Sequence, residues 1–297
     1  MIPPRLLVMS GGGIKVTASI GALKVLDQRG HLKSVKEVCG VSAGAWIAFM
    51  IACRLPVETL ERLILELDFG QIRNINSDSL IGFPETFGLD DGSKLINLLN
   101  TIFRIVLKAD PEMTFADMAA NPSNLAFRCW AMDLHTGKER TFSLKETPTV
   151  KIIEALRASM SLPLYFTPPI DVITGHMLTD GGIQGNIPLQ YLTPDECNES
   201  LSIGFSNEES TDEKNPEDLM GFLKSIMGCV LHQANEDLLK EWRHKIIFIP
   251  VDNYPSWNFE ASREDRNMLL IKGITATESW LSNPPISNLK TIRRLSI

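Results

Sequence analysis

The chain has 297 residues and a mass of 33.1 kDa, and its 44% hydrophobic and 22% charged residues are typical of a folded globular protein rather than a fibrous or disordered one. Its net charge of −7 and its lack of a long Lys and Arg cluster argue against a nucleic-acid interface. The five cysteines are widely spaced without a C-x-x-C pair, which favours free thiols in a reducing compartment.

The N-terminal sequence predicts a buried strand rather than a targeting segment. The apolar run after Arg5 is too short for the core of a signal peptide, and no later segment reaches the length of a membrane span without a charge. We therefore expect an intracellular protein.

The first quarter of the chain alternates short apolar runs with helical patterns. "RLLVM" (5–9) and "KEVCG" (36–40) predict strands, "TASIGALKVLDQRG" (17–30) a helix that stops at Gly30, and "AGAWIAFMIACRL" (43–55) a buried helix. Apolar strands that alternate with helices indicate a mostly parallel sheet covered on its faces, the α/β class.

The remaining elements follow with one interruption. The segment 68–91 lacks periodicity, and we expect it to be an irregular, mobile cover. "NLAFRCWAMDLHTGKERTFSL" (124–144) predicts two strands joined by a turn, and "HMLTDGG" (176–182) a short strand. Four further helices are predicted to begin at residues 57, 93, 114 and 149. After them the sequence predicts a strand at 201–206, a long helix that ends at about Trp242, a strand at 245–251 and a last helix from 262 to 281.

The stretch "CGVSAGAW" (39–46) places Ser42 in the pattern G-x-S-x-G. On a sharp turn between a strand and a helix, a serine needs small neighbours, and Gly40, Ala43 and Gly44 are small. The helix that follows would direct its N-terminal dipole at the serine. The same residues also fit a serine that caps the helix, so the pattern alone leaves nucleophile and cap open.

A glycine run follows the first strand, in "SGGGIKV" (10–16). Gly11, Gly12 and Gly13 would expose backbone N–H groups that could stabilise an oxyanion. A tight turn is the structural alternative. The run also resembles part of a dinucleotide-binding pattern, but Val16 stands where the last glycine would be, which leaves a nucleotide-binding module as a weak alternative.

A serine nucleophile needs a base. Asp180 in "TDGGIQGNIPL" ends a predicted strand, and desolvation would raise its proton affinity, although an Asp-Gly pair is also common in turns. A histidine base later in the chain than Asp180 would be His232 or His244. Both lie in the stretch predicted as one long helix, whereas a catalytic histidine normally stands on a loop.

Three ordered motifs, "GGGIK" (11–15), "GVSAG" (40–44) and "DGG" (180–182), resemble those of the patatin-like phospholipase family. "DLHTGKERTF" and "ALRASMSLPLYFTPP" resemble its connecting segments. The resemblance covers roughly residues 5–206, the expected catalytic core. It leaves 207–218 as an acidic surface loop and 219–297 as helices and a strand that complete or pack on the same domain.

The resemblance implies a three-layer α/β/α fold and a phospholipase A-type lipid acyl hydrolase. Ser42 would be the nucleophile, Asp180 the general base, and the amides of Gly11, Gly12 and Gly13 the oxyanion hole, with no metal or other cofactor. The expected partners are a phospholipid or other acyl lipid and a peripheral membrane surface, while any protein activator is undetermined. Because the family usually has glycine at the position of Val16, a catalytically silent lipid-binding protein is the alternative.

Overall fold

The computed structural model describes residues 3–206, 236–251 and 260–285. The predicted acidic loop at 207–218 and His232 lie outside these residues. The strands are β1 (Leu6–Met9), β2 (Glu37–Val41), β3 (Gly88–Asp90), β4 (Ala126–Asp133), β5 (Glu139–Ser143), β6 (Leu164–Phe166), β7 (Leu178–Asp180), β8 (Ser200–Ser206) and β9 (Ile246–Pro250). The helices are α1 (Val16–Gln28), α2 (Ala43–Ala52), α3 (Val57–Glu66), α4 (Ser77–Thr86), α5 (Ser93–Thr101, continued by a π-turn at Ile102–Val106), α6 (Phe115–Ala120), α7 (Ile152–Ser159), α8 (Pro194–Glu199), α9 (Glu236–Glu241) and α10 (Arg263–Ser282).

The central sheet is mostly parallel, as the sequence predicted. Its strand order is β5-β4-β2-β1-β8-β9, and only β5 and β7 run antiparallel to their neighbour β4. A separate parallel pair joins β3 to β6. The fold is therefore the expected mixed α/β type.

The sheet lies between two helical layers of unequal size. Side chains alternate between the faces of a strand, so Leu7 and Met9 of β1 join one core while Leu6 and Val8 join the other. The larger core contains α1, α2, α3, α5 and α7, and the smaller one is covered by the chain around α8 and α9. This is the three-layer arrangement that the family resemblance implied.

The C-terminal part adds to the same sheet. Strand β9 pairs with β8, and α10 packs along α1, where a Cβ at Gly273 would overlap the carbonyl oxygen of Ala18. Trp280 and Leu269 are buried, so α10 is a core helix. None of the helices in the described ranges is long and apolar enough to cross a bilayer.

Two local predictions were wrong. The segment 68–91 is not irregular: it contains a 3-10 turn at Phe69–Ile72, helix α4 and strand β3, and the Asn76 side chain begins α4 through a capping box that sequence periodicity does not reveal. A role for this segment as a mobile cover stays a prediction. His244 is not in a helix, because α9 ends at Glu241 and His244 lies in a 3-10 turn.

Candidate active site

Strand β4 brings Ser42 and Asp180 together. Along one edge of β4, β2 ends at Val41 opposite Trp130, and β7, running the other way, ends at Asp180 opposite Ala131. Strand β5 occupies the other edge of β4, so β2 and β7 meet end to end. The residue after β2 is therefore adjacent to the last residue of β7.

The Ser42 hydroxyl donates a hydrogen bond to Oδ2 of Asp180, with an oxygen to oxygen distance of 2.6 Å. Ser42 occupies the N-cap position of α2, but its side chain makes no capping hydrogen bond. The hydroxyl therefore faces the carboxylate rather than the helix end. Oδ1 of Asp180 accepts the N–H of Gly182 at 2.7 Å, which fixes the orientation of the carboxylate.

Asp180 is almost completely buried, with 4% of its surface exposed. This burial raises the pKa of Asp180 to about 6, although the hydrogen bonds from Ser42 and Gly182 oppose the shift. The carboxylate is therefore a stronger base than an exposed aspartate and still ionised at neutral pH.

The backbone at Ser42 is strained. Its φ of 53° and ψ of −137° lie in a region that residues with a side chain rarely adopt, at a cost of roughly 1–3 kcal/mol. Close packing supports the turn, because a Cβ at Gly44 would overlap the carbonyl oxygen of Ser10 and lie 2.6 Å from that of Met9. The second glycine of G-x-S-x-G thus lets α2 begin directly against the end of β1.

The end of α7 holds both members of the pair. The N–H of Ser42 donates to Oγ of Ser159 at 2.9 Å, and the N–H of Asp180 donates to the carbonyl oxygen of Ser161 at 2.9 Å. Both serines are buried. One rigid segment therefore fixes the backbone of the hydroxyl and of the carboxylate.

Arg157 connects the end of α7 to Phe166 and Thr167. Its guanidinium donates to the hydroxyl of Ser161 and, at 2.9 Å, to the carbonyl oxygen of Thr167, and it lies 5.0 Å from the ring centre of Phe166. Sequence reasoning did not assign roles to Arg157, Ser159 or Ser161. The available signal was the presence of these three polar residues at the end of one predicted helix.

The glycine run lies beside Ser42, but its three amides are not equivalent. The N–H of Gly11 donates to the carbonyl oxygen of Asn186, another residue that sequence reasoning missed. Gly11 therefore differs from the prediction, because its amide is already paired. The N–H groups of Gly12 and Gly13 have no acceptor among the described residues, and both glycines line the same pocket as Ser42.

Two further features of this run bear on the predictions. Gly12 has a φ of 150°, and a Cβ there would lie 2.9 Å from the ring of Phe205. Val16 has a helical φ of −59° at the start of α1, so valine causes no backbone strain at the position where the family usually has glycine.

An apolar pocket opens at the Ser42 and Asp180 pair. Asp180 is the one ionisable residue among the described residues that line it, and no described histidine does. Phe69 and Ile72, from the segment predicted to be irregular, form part of its wall. Its other large apolar side chains include Trp46, Leu95, Leu99, Leu162 and Phe166.

Most of the chain matches one protein family. The family model described as patatin-like phospholipase matches residues 7–193. The chain belongs to the patatin-like phospholipase family. Among curated relatives of this patatin-like chain, protein R571 of Acanthamoeba polyphaga mimivirus is 29% identical over 208 residues, which is 70% of this chain and 67% of R571. The probable lipid hydrolase 463L of Invertebrate iridescent virus 6 is 24% identical over 187 residues, 62% of each chain.

Among solved structures, VipD from Legionella pneumophila matches this patatin-like chain with a TM-score of 0.61 and 16% identity. The match covers 95% of this chain and 67% of VipD. It shows that the two proteins share the fold.

The raised pKa of Asp180 predicts a stability effect with a defined dependence on pH. Because the pKa is higher in the folded state than in the unfolded chain, ionised Asp180 destabilises the fold at pH 8, and this effect disappears below about pH 4, where both states are protonated. We expect Asp180→Asn to raise the free energy of unfolding by about 1–3 kcal/mol at pH 8 and to change it little at pH 4. Urea unfolding at both pH values measures the difference.

Asp133→Asn is the matched control. Burial alone would raise the pKa of Asp133, but hydrogen bonds from His176 and from the N–H groups of Thr136 and His135 hold it at about 2. Neutralising Asp133 should therefore destabilise the protein at pH 8. A loss of stability with Asp180→Asn at pH 8, or a gain of equal size at both pH values, would contradict the assignment.

Proposed function

We propose that this protein is a lipid acyl hydrolase of the phospholipase A type, with Ser42 as nucleophile and Asp180 as general base. The hydrogen bond between Ser42 Oγ and Asp180 Oδ2 at the mouth of an apolar pocket carries the proposal. Membership of the patatin-like phospholipase family and the relative named a probable lipid hydrolase support an enzyme that hydrolyses lipid esters.

In the first half of the reaction, Ser42 Oγ attacks the carbonyl carbon of the ester while Asp180 accepts its proton. The negative charge that develops on the carbonyl oxygen would be stabilised by the N-terminal dipole of α2 and by the N–H groups of Gly12 and Gly13, which have no acceptor in the described part of the chain. When the carbon to oxygen bond breaks, the leaving alcohol takes the proton from Asp180. The fatty acyl group remains on Ser42 as an ester.

In the second half, water releases the fatty acid. Asp180, ionised again, accepts a proton from water as the water oxygen attacks the acyl ester, and it returns that proton to Ser42 Oγ when the tetrahedral intermediate collapses. The apolar pocket would hold the acyl chain during both steps. We propose a phospholipid or related acyl lipid at a membrane surface as the substrate.

The alternative is a silent lipid-binding protein, which the valine at position 16 suggested. The helical backbone of Val16 removes the strain argument behind that alternative. Labelling with a serine-directed fluorophosphonate separates the two, because an activated Ser42 reacts with the probe and an inert serine does not.

We expect Ser42→Ala and Asp180→Asn each to abolish the release of fatty acid from mixed phospholipid vesicles, because one lacks the nucleophile and the other the base. Mass spectrometry of the released lipids measures the loss, which should be at least about 10³-fold. Circular dichroism serves as the control for folding. Activity close to wild type in either folded variant would contradict the proposed pair.

Ser159 is proposed as a positioning residue for Ser42. In Ser159→Ala the N–H of Ser42 loses its acceptor, so the strained turn should relax and kcat should fall about 10- to 100-fold, while KM for a soluble ester stays within about twofold. Steady-state kinetics on a short-chain ester measure both constants.

Ser202→Ala is the matched control, because Ser202 is fully buried and its hydroxyl has no hydrogen-bond partner among the described residues. It should leave kcat unchanged. If Ser159→Ala retained wild-type kcat, or lost activity only in proportion to unfolded protein, Ser159 would have a structural role alone.

A further inference from the structure

Asn186 presents a side-chain amide at the Ser42 pocket. The residue is half-buried and lines the pocket together with Ser42 and Asp180. Its backbone carbonyl accepts the N–H of Gly11, but its side-chain amide makes no hydrogen bond with any residue in the described ranges. A primary amide offers two N–H donors and an acceptor oxygen, so this group is available to a molecule bound in the pocket.

The backbone on both sides of Asn186 is fixed. The 3-10 turn Gly181–Gln184 ends at Gly185, whose φ of 145° favours glycine. On the other side, Ile187 is 5% exposed and belongs to the smaller core. The carbonyl of Asn186 also joins this segment to the glycine run through Gly11, at 2.9 Å. The side chain therefore starts from a rigid position.

Two glycines from different motifs make room for the amide. A Cβ at Gly182 would lie 2.9 Å from Oδ1 of Asn186, closer than a real Cβ approaches such an atom. A Cβ at Gly11 would lie 3.2 Å from the same oxygen and 3.1 Å from the Cβ of Ser42. The amide of Asn186 and the side chain of Ser42 therefore adjoin the same face of Gly11.

The nitrogen of the amide is directed away from Gly182. The atoms of Asn186 nearest to a Cβ at Gly182 would be Oδ1 at 2.9 Å and Cγ at 3.9 Å, so Nδ2 is farther away than either. The oxygen thus lies against the backbone of the Asp-Gly-Gly turn. The nitrogen, with its two N–H groups, is the end of the amide that remains for a bound molecule.

The chemistry proposed for the pocket needs such a donor. The N–H of Gly11 is paired with the carbonyl of Asn186, so it cannot stabilise an oxyanion as Gly12 and Gly13 could. An uncharged donor suits the position, because a cation near Asp180 would lower the pKa of that carboxylate and make it a weaker base.

We propose that Nδ2 of Asn186 donates a hydrogen bond to the carbonyl oxygen of the bound ester while negative charge develops on that oxygen. Asn186 is then the third oxyanion donor beside the N–H groups of Gly12 and Gly13, in the role that the paired amide of Gly11 does not fill. This proposal rests on the proposed function, because it requires an ester under attack by Ser42.

Two variants of Asn186 test the donor. Asn186→Asp keeps the shape of the side chain and replaces the N–H donors with an acceptor, and Asn186→Ala removes the amide without adding a charge. Both keep the backbone carbonyl that holds Gly11. The matched control is Gln184→Glu, the same chemical change on an exposed residue of the same segment that does not line the pocket.

Steady-state kinetics on a soluble short-chain ester give the first result. We expect kcat to fall about 10²-fold in both Asn186 variants while KM stays within about threefold, because the hydrogen bond is strongest in the transition state. Gln184→Glu should keep the kcat of the wild type. Circular dichroism and thermal unfolding show whether each variant is folded.

Inhibitor binding separates an oxyanion donor from a structural role. When Ser42 Oγ adds to the carbonyl carbon of an alkyl trifluoromethyl ketone, its proton passes to Asp180 and the ketone oxygen becomes an oxyanion. The affinity for this ketone should fall about 10²-fold in Asn186→Ala. The affinity for a fatty alcohol of equal chain length, which fills the pocket without a carbonyl, should stay the same.

Three outcomes contradict the role of Asn186. They are a wild-type kcat in Asn186→Ala, an unchanged affinity of that variant for the ketone, and an equal loss of affinity for ketone and alcohol, which would indicate a distorted pocket. If the wild type hydrolysed no ester and did not react with a fluorophosphonate, the proposed function would fail and this role with it. If the wild type did both and Asn186→Ala behaved like Gln184→Glu, only the role of Asn186 would fail.

Discussion

The candidate site depends on one feature of the sheet, the shared edge of β4. A parallel strand and an antiparallel strand end against each other on that edge, which places a serine hydroxyl 2.6 Å from a carboxylate oxygen. Ser42 directly follows β2, and Asp180 is the last residue of β7. Hydrogen bonds within the sheet therefore fix the backbone up to both residues. Residues far apart in the chain therefore form a pair with little freedom to separate.

The stability of this pair comes from its surroundings rather than from the pair itself. Burial of Asp180 and the strained backbone of Ser42 both oppose folding. These costs are offset by the hydrogen bonds that Ser42 and Asp180 donate to the end of α7, by close packing at Gly44 and by the apolar cores on both faces of the sheet. The same burial that disfavours the ionised carboxylate makes it a stronger base. The two contributions that oppose folding therefore both fall on the residues proposed to carry out the reaction.

The sequence predicted the parallel sheet well, because short apolar runs between amphipathic helices have few other solutions. The three motifs also predicted that Ser42 and Asp180 act together, and the structure places the two side chains within hydrogen-bond distance. Contacts between distant segments were not predictable. Nothing in the local pattern shows that the carbonyl oxygen of Asn186 accepts the N–H of Gly11, or that the hydroxyl of Ser159 accepts the N–H of Ser42. Helix α4, within residues 68–91, was missed because its start is marked by the capping side chain of Asn76 and not by a helical spacing of hydrophobic residues.

The central claim is that buried Asp180 acts as the base for Ser42. The most direct measurement is the pH dependence of kcat/KM for a neutral, soluble ester, which reports ionisations of the free enzyme. The account predicts that kcat/KM falls as the pH drops through about 6, because protonated Asp180 cannot accept the proton of Ser42, and that it reaches a plateau above that pH. A profile that falls only near pH 4, the range of an exposed aspartate, would contradict it.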